Sequence, residues 1–330
     1  MKRTSITLAV ALLAVFGLLS ASRLFSTTHA QSDNASNGER GVPETIRHKT
    51  NPQEATTGYL TAGGTGSLSP ILYHNGPLIN TPTIYIIWYG NWSQGNGSDN
   101  AAGQQIVRDF ASSIGGSNYF LINTAGYNAG GYTISGNVNF TAGANETSPG
   151  YSHGTRLRDA TIQTIVNEAI TGGHLPADTN GVYFVLTSSD VNEQSGFCTQ
   201  YCGWHTSAST TLTSNGRLRY SFVGNANRCL NACAAQTTSP NSNAGVDGMI
   251  SVMAHELEEA TTDPDPRSGW ADSGGAENAD KCAWTFGSRQ FTAPNGSIYN
   301  QTLGARNYLI QRNLAAVDNK CYTDYINKYQ

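Results

Sequence analysis

The residues best equipped for chemistry lie in "HELEEATTDPDP" at 255–266, where one histidine and five acids fall within a dozen positions of a chain that is only 13% charged. No Lys or Arg occurs between Arg228 and Arg267. Carboxylates gathered without basic neighbours repel one another, so such a cluster is either screened by solvent or holds a cation. A helical turn of about 100° per residue puts His255, Glu258, Glu259 and Thr262 on one side and Ile250, Met253, Leu257 and Ala260 on the other. The pattern predicts a helix that packs its apolar stripe on a sheet and presents His and carboxylates on the opposite face.

A His and a Glu one turn apart can reach a single cation from one helix face. In the related HExxH arrangement two histidines hold zinc and the intervening Glu takes a proton from the attacking water. Here the spacing is HExxE, so His255 and Glu259 are the expected metal ligands and Glu256 the expected general base. A further ligand is expected from "DPDPRSGWADSGGAENADKCAW", which carries Asp272, Glu277 and Asp280. Glu277 is the first choice and Asp280 the second, since both lie close to Cys282. His205, in "CGWH", is a less favoured donor. Zinc is the expected ion; replacing His by Glu hardens the ligand set and leaves calcium as the alternative. The bland reading is a solvated acidic helix face.

These donors must be carried by a folded, exported chain. Residues 1–30 read as a signal peptide, with Lys2 and Arg3 before a short apolar run and small residues at the end. Residues 31–65 read as a flexible polar leader and 66–330 as one domain. No later stretch approaches the roughly 20 apolar residues of a membrane-spanning helix. A net charge of −4 argues against nucleic acid as a partner. Cys198, Cys202, Cys229, Cys233, Cys282 and Cys321 are an even set in an oxidising compartment and predict disulfides, with 15 pairings open. The CxxxC pairs fit zinc ligation less well.

The run "IYIIWY" from Ile84 predicts a buried strand, in which Trp88 and Tyr89 are core and Trp92 beyond it is exposed. Asp99 is the expected cap of a helix carrying Ile106, Val107, Phe110 and Ile114, and a second helix is expected over "TRLRDATIQTIVNEAITGG". "GVYFVLTSSD" and "LRYSFVGN" read as further strands. Strands alternating with helices predict an α/β fold, a central mixed sheet with packed helices, a zincin-like site helix and disulfide staples. No G-x-S-x-G elbow accompanies His74, His153 or His205, and the glycine-rich stretches lack phosphate-loop spacing.

The stretches "LYHNGPLINTPTIYIIWYGNW", "FVLTSSDV", "GFCTQYCGWH", "SFVGNANRC", "GVDGM" and "IYNQTLGARNYLIQRN", together with the cysteine pattern, resemble the phosphate-induced protein 1, or EXORDIUM-like, family. That resemblance spans about Leu72 to Cys321 and implies a secreted protein of the cell wall or apoplast. The plant members have no established enzyme activity. "HELEEATTDP" and "GWADSGGAENADKC" instead look like microbial relatives whose HExxE helix and acidic loop suggest a zincin-like peptidase. The leading expectation is therefore a secreted zinc-dependent hydrolase acting on extracellular protein or peptide. The alternative is a non-catalytic binder of cell-wall polysaccharide or a surface receptor, with a structural calcium.

Overall fold

The computed structural model describes residues 69–330; the expected signal peptide and leader lie outside them. In chain order the site-bearing elements are β1 (Thr83–Tyr89), α1 (Ala101–Ser113), β2 (Glu146–Gly150), α2 (Asp159–Thr171), β3 (Gly181–Thr187), β4 (Gly203–Ser209), β5 (Arg217–Gly224) and α3 (Ala244–Thr262). The five strands form one sheet in the order β2-β1-β3-β5-β4. All neighbours are parallel except β4, which runs antiparallel to β5 and pairs His205 with Ser221. The protein is thus a mixed α/β fold around a central mixed sheet.

β1 and β3 are buried at every position, as parallel strands covered on both faces require. Their continuous apolar runs made them legible. Trp92 departs from its expected exposure: it is 7% exposed and meets Trp88 edge-on at 4.8 Å. The loop after β1 folds back over the strand end, so the ring gains a partner. The cap of α1 is also displaced by one residue. Asn100 has the extended backbone of a cap and accepts from Gly103 N, whereas Asp99 accepts from Ser189 N and Asn225 Nδ2. Asp99 therefore ties the loop ends of the sheet together instead of starting the helix. Leu157 precedes α2, in a two-residue strand with Arg156.

All three disulfides form: Cys198–Cys229, Cys202–Cys233 and Cys282–Cys321. The two CxxxC pairs are thus bonded to each other, which removes the zinc reading of them. Shortly before the first half-cystine, Glu193 is 1% exposed and accepts hydrogen bonds from Tyr201 and Ser195. Burial pushes its carboxyl up from 4.5 to about 7; the Tyr201 hydrogen bond opposes this and the Asp159 charge adds to it. The folded protein therefore holds a proton that the unfolded chain releases. Its stabilising contribution is complete below about pH 4.5 and is lost as pH rises towards 7. Glu193→Gln should be as stable as the parent at pH 4.5 and more stable at pH 8, by up to about 3 kcal/mol. Urea midpoints at the two pH values test this, and an unchanged pH slope in the variant would refute it.

The long helix α3 departs most from the amphipathic expectation. Asn243 caps it by accepting from Val246 N, and every residue from Gly245 to Thr262 is buried. The helix packs on β4 and β5, but it turns Val252, Glu256 and Glu259 toward β4, so the carboxylates do not face away from the sheet as expected. The other side is covered by the turn Phe120–Thr124 and by chain from beyond residue 276. Asn313 Nδ2 donates to Glu258 Oε2 at 2.5 Å, and Gln311 N donates to Ser251 Oγ at 3.3 Å. A solvated acidic face is therefore overturned: His255, Glu256, Glu258 and Glu259 are all 0% exposed.

Candidate metal centre

Helix and sheet approach closely where the donors meet. A Cβ at Gly203 would lie 2.6 Å from Val252 Cγ1 and 3.2 Å from Glu256 Oε1, so only glycine lets α3 sit this near β4. Two residues along β4, His205 points at the helix. Its Nδ1 is 3.3 Å from Glu256 Oε2 and 3.5 Å from Glu259 Oε2, and its Nε2 is 3.5 Å from Glu277 Oε2 and 3.3 Å from the Asp263 carbonyl.

The chain leaves α3 through a turn built on Asp263, whose carboxylate accepts from the backbone N–H groups of Arg267, Ser268 and Gly269. It returns as the single turn Asp280–Cys282, pinned by Cys282–Cys321. There Asp280 N donates to Glu259 Oε1 at 3.0 Å, and Glu277 N donates to Asp280 Oδ2 at 3.1 Å. His255 Nε2 lies 3.0 Å from Glu259 Oε1 and 3.6 Å from Asp280 Oδ1.

The structure thus brings His255, Glu256, Glu259, Glu277, Asp280 and His205 into one buried cluster. Asp272, the remaining loop candidate, is elsewhere: it is paired with Lys281 and caps its own turn. The lysine gives Asp272 a cationic partner, whereas the cluster has only its two histidines to face four carboxylates. His74 and His153 are also apart, bonded to the Ala271 carbonyl and to Glu168. Sequence reasoning ranked His205 last, yet it touches three of the carboxylates. Glu258 went unassigned; it is held by Asn313 and its carboxyl is pushed well above the usual range by burial.

The electrostatics are dominated by desolvation. Burial raises Asp280 to about 7, helped by the charge of Glu259, and drives Glu277 well above the carboxylate range despite His205. Glu259 goes the other way, to about 2, because the charges of His255 and His205 outweigh its burial. His205 is itself held protonated well above 6.5 by Glu277, Glu256 and Glu259. Several polar atoms remain unsatisfied. Both carboxylate oxygens of Glu277, Glu259 Oε2 and Glu256 Oε1 are buried without a hydrogen-bond partner. Such atoms are costly to leave unpaired.

A tetrahedral ion with bonds of about 2.0–2.1 Å spaces its donors about 3.3 Å apart. The separations of 3.0 and 3.6 Å around His255 Nε2 are close to that spacing, and the three donors of His255, Glu259 and Asp280 all lie within 4.8 Å of one another. The residues present therefore fit a small divalent cation. An imidazole in the set suits a transition ion of the zinc class better than calcium, which takes oxygen ligands.

Comparison with known proteins bears on the scaffold around this centre. Protein EXORDIUM-like 3 of Arabidopsis thaliana is 32% identical over 282 residues, which cover 75% of this chain and 81% of that protein. Protein EXORDIUM-like 5 of the same plant is 32% identical over 61% of this chain and 60% of its own length. Protein PHOSPHATE-INDUCED 1 of Nicotiana tabacum is 26% identical over 58% and 64% respectively. No solved structure matches. The pattern described as Phosphate-induced protein 1 conserved region matches residues 71–323, almost the whole described length, and the chain belongs to that family.

Proposed function

We propose that this chain is an exported, non-catalytic member of its family, with residues 66–330 acting as one domain and a buried zinc-class ion as its structural pin. The single observation that carries the reading is the closure of the centre. His255, Glu256, Glu259 and Glu277 are 0% exposed and His205 is 1% exposed, with only the Asp280 side chain, at 9%, reaching the edge of the cluster. A hydrolytic metal site keeps one coordination position open to substrate, whereas structural sites are closed. His255, Glu259 and Asp280 would hold the ion, which would add positive charge to a cluster whose four carboxylates face only two histidines. It would join α3 to the loop before Cys282, so that helix, sheet and C-terminal segment are held as one body. Export is supported by the three disulfides and by the signal-like N-terminus. No helix of the described residues is long and apolar enough to cross a membrane. An extracellular polysaccharide or surface protein would then engage the outer face of this scaffold.

A zinc-dependent peptidase is the second reading, and one observation favours it: Glu256 Oε1 is without a hydrogen-bond partner beside the donor set. Glu256 would take a proton from water and pass it to the leaving amine, and the covering C-terminal segment would have to open first. Elemental analysis together with a peptide-library assay separates the two. The structural reading expects about one or more tightly held zinc per chain and no turnover above background. Turnover that Glu256→Gln abolishes at unchanged metal content would overturn it in favour of the peptidase.

A further inference from the structure

We infer that the cluster is a two-ion centre in which Glu259 bridges, one ion lying with His255 and Asp280 and a second with His205 and Glu277. The inference rests on the metal reading above and extends it. Its basis is the division of Glu259 between two imidazoles. Oε1 faces His255 Nε2 at 3.0 Å and Oε2 faces His205 Nδ1 at 3.5 Å. Each side then has its own second carboxylate. The donors of His255, Glu259 and Asp280 lie within 4.8 Å of one another, and so do those of His205, Glu259 and Glu277.

A single ion at the first triad leaves the second unsatisfied. Glu277 is 0% exposed, and neither of its oxygens accepts a hydrogen bond; Glu259 Oε2 is in the same condition. These orphaned oxygens all belong to the His205 side, where a cation would satisfy them together. His205 is also held as a ligating imidazole usually is. Whichever ring nitrogen binds the ion, the other faces an acceptor, the Glu256 carboxylate from Nδ1 or the Asp263 carbonyl from Nε2. The competing account makes His205 an imidazolium that neutralises Glu256, Glu259 and Glu277 without any second ion.

Cobalt(II) distinguishes the two accounts, since it takes zinc sites and its visible absorption can be titrated. The intact protein, stripped by a chelator at neutral pH and refilled, should reach its endpoint at two equivalents of cobalt. Glu277→Gln and Asp280→Asn should each lose one equivalent and keep the other. An endpoint of one equivalent in the parent would overturn the second ion while leaving the single-ion reading intact, and two equivalents retained by Glu277→Gln would overturn the placement of the second ion with Glu277. No binding by the parent would overturn both. The parent titration alone decides the stoichiometry if a variant fails to fold.

Discussion

Chelation of the purified protein should lower its melting temperature by about 10 °C or more, and zinc but not calcium should restore it. The size follows from linkage: an ion present at 1,000 times its dissociation constant stabilises the fold by about 4 kcal/mol. For a domain of this size each kcal/mol is worth about 2–4 °C. The figure is a lower bound, because structural zinc contributes more in small metal-dependent folds. The cause here is local. Glu259 and Glu277 are 0% exposed and the Asp280 side chain is 9% exposed, so removing the cation leaves carboxylates in a poorly solvating medium that must take up protons or repel one another. Differential scanning fluorimetry with elemental analysis of the same samples makes the comparison. An unchanged transition after verified removal of the metal would eliminate the structural role.

Much of this centre could be read before any coordinates. The one-turn spacing of His255 and Glu259 is helix geometry, and α3 spans both residues. The apolar runs of β1 and β3 announce strands because nothing but burial explains "TIYIIWY" and "GVYFVLT". The "ENADKC" segment pointed to Glu277 and Asp280 because a cysteine nearby promised a tether, and Cys282 is indeed bridged.

What was not legible depends on distant chain. The polar face of α3 looks solvated in isolation, since the residues that cover it, Asn278, Gln311 and Asn313, follow it by tens of positions. Strand β4, "GWHTSAS", has no hydrophobic run and no clear alternation, so neither the strand nor the aim of His205 stands out. Its burial comes from pairing with β5 and from α3 lying across it at Gly203. The Asp99 cap failed for a similar reason. A buried aspartate takes the strongest donors on offer, and Ser189 and Asn225 arrive from other parts of the fold. Disulfide pairing is equally a property of the assembled sheet, where the two CxxxC segments lie side by side.

Replacing Cys282 and Cys321 together by serine should weaken metal retention as well as the fold, and a matched control separates the two effects. The bridge closes a segment with a sequence separation of 39, which in the chain-entropy account is worth about 4 kcal/mol. It also restrains the turn that carries Asp280, and loss of such support round a ligand typically costs 10–100-fold in metal affinity. The control is Cys198–Cys229, with a separation of 31. Cys202–Cys233 bridges the same two segments, so removing Cys198–Cys229 reopens only a short ring and should cost about 2.5 kcal/mol. None of its residues adjoins Glu259 or Asp280 in the site geometry, so metal affinity should stay within about twofold of the parent. Denaturant midpoints measure the first effect and competition with a chromogenic chelator the second. If the Cys282/Cys321 variant holds its metal as tightly as the control does, the acidic turn is ordered by its hydrogen bonds to α3 alone, and the bridge serves only chain entropy.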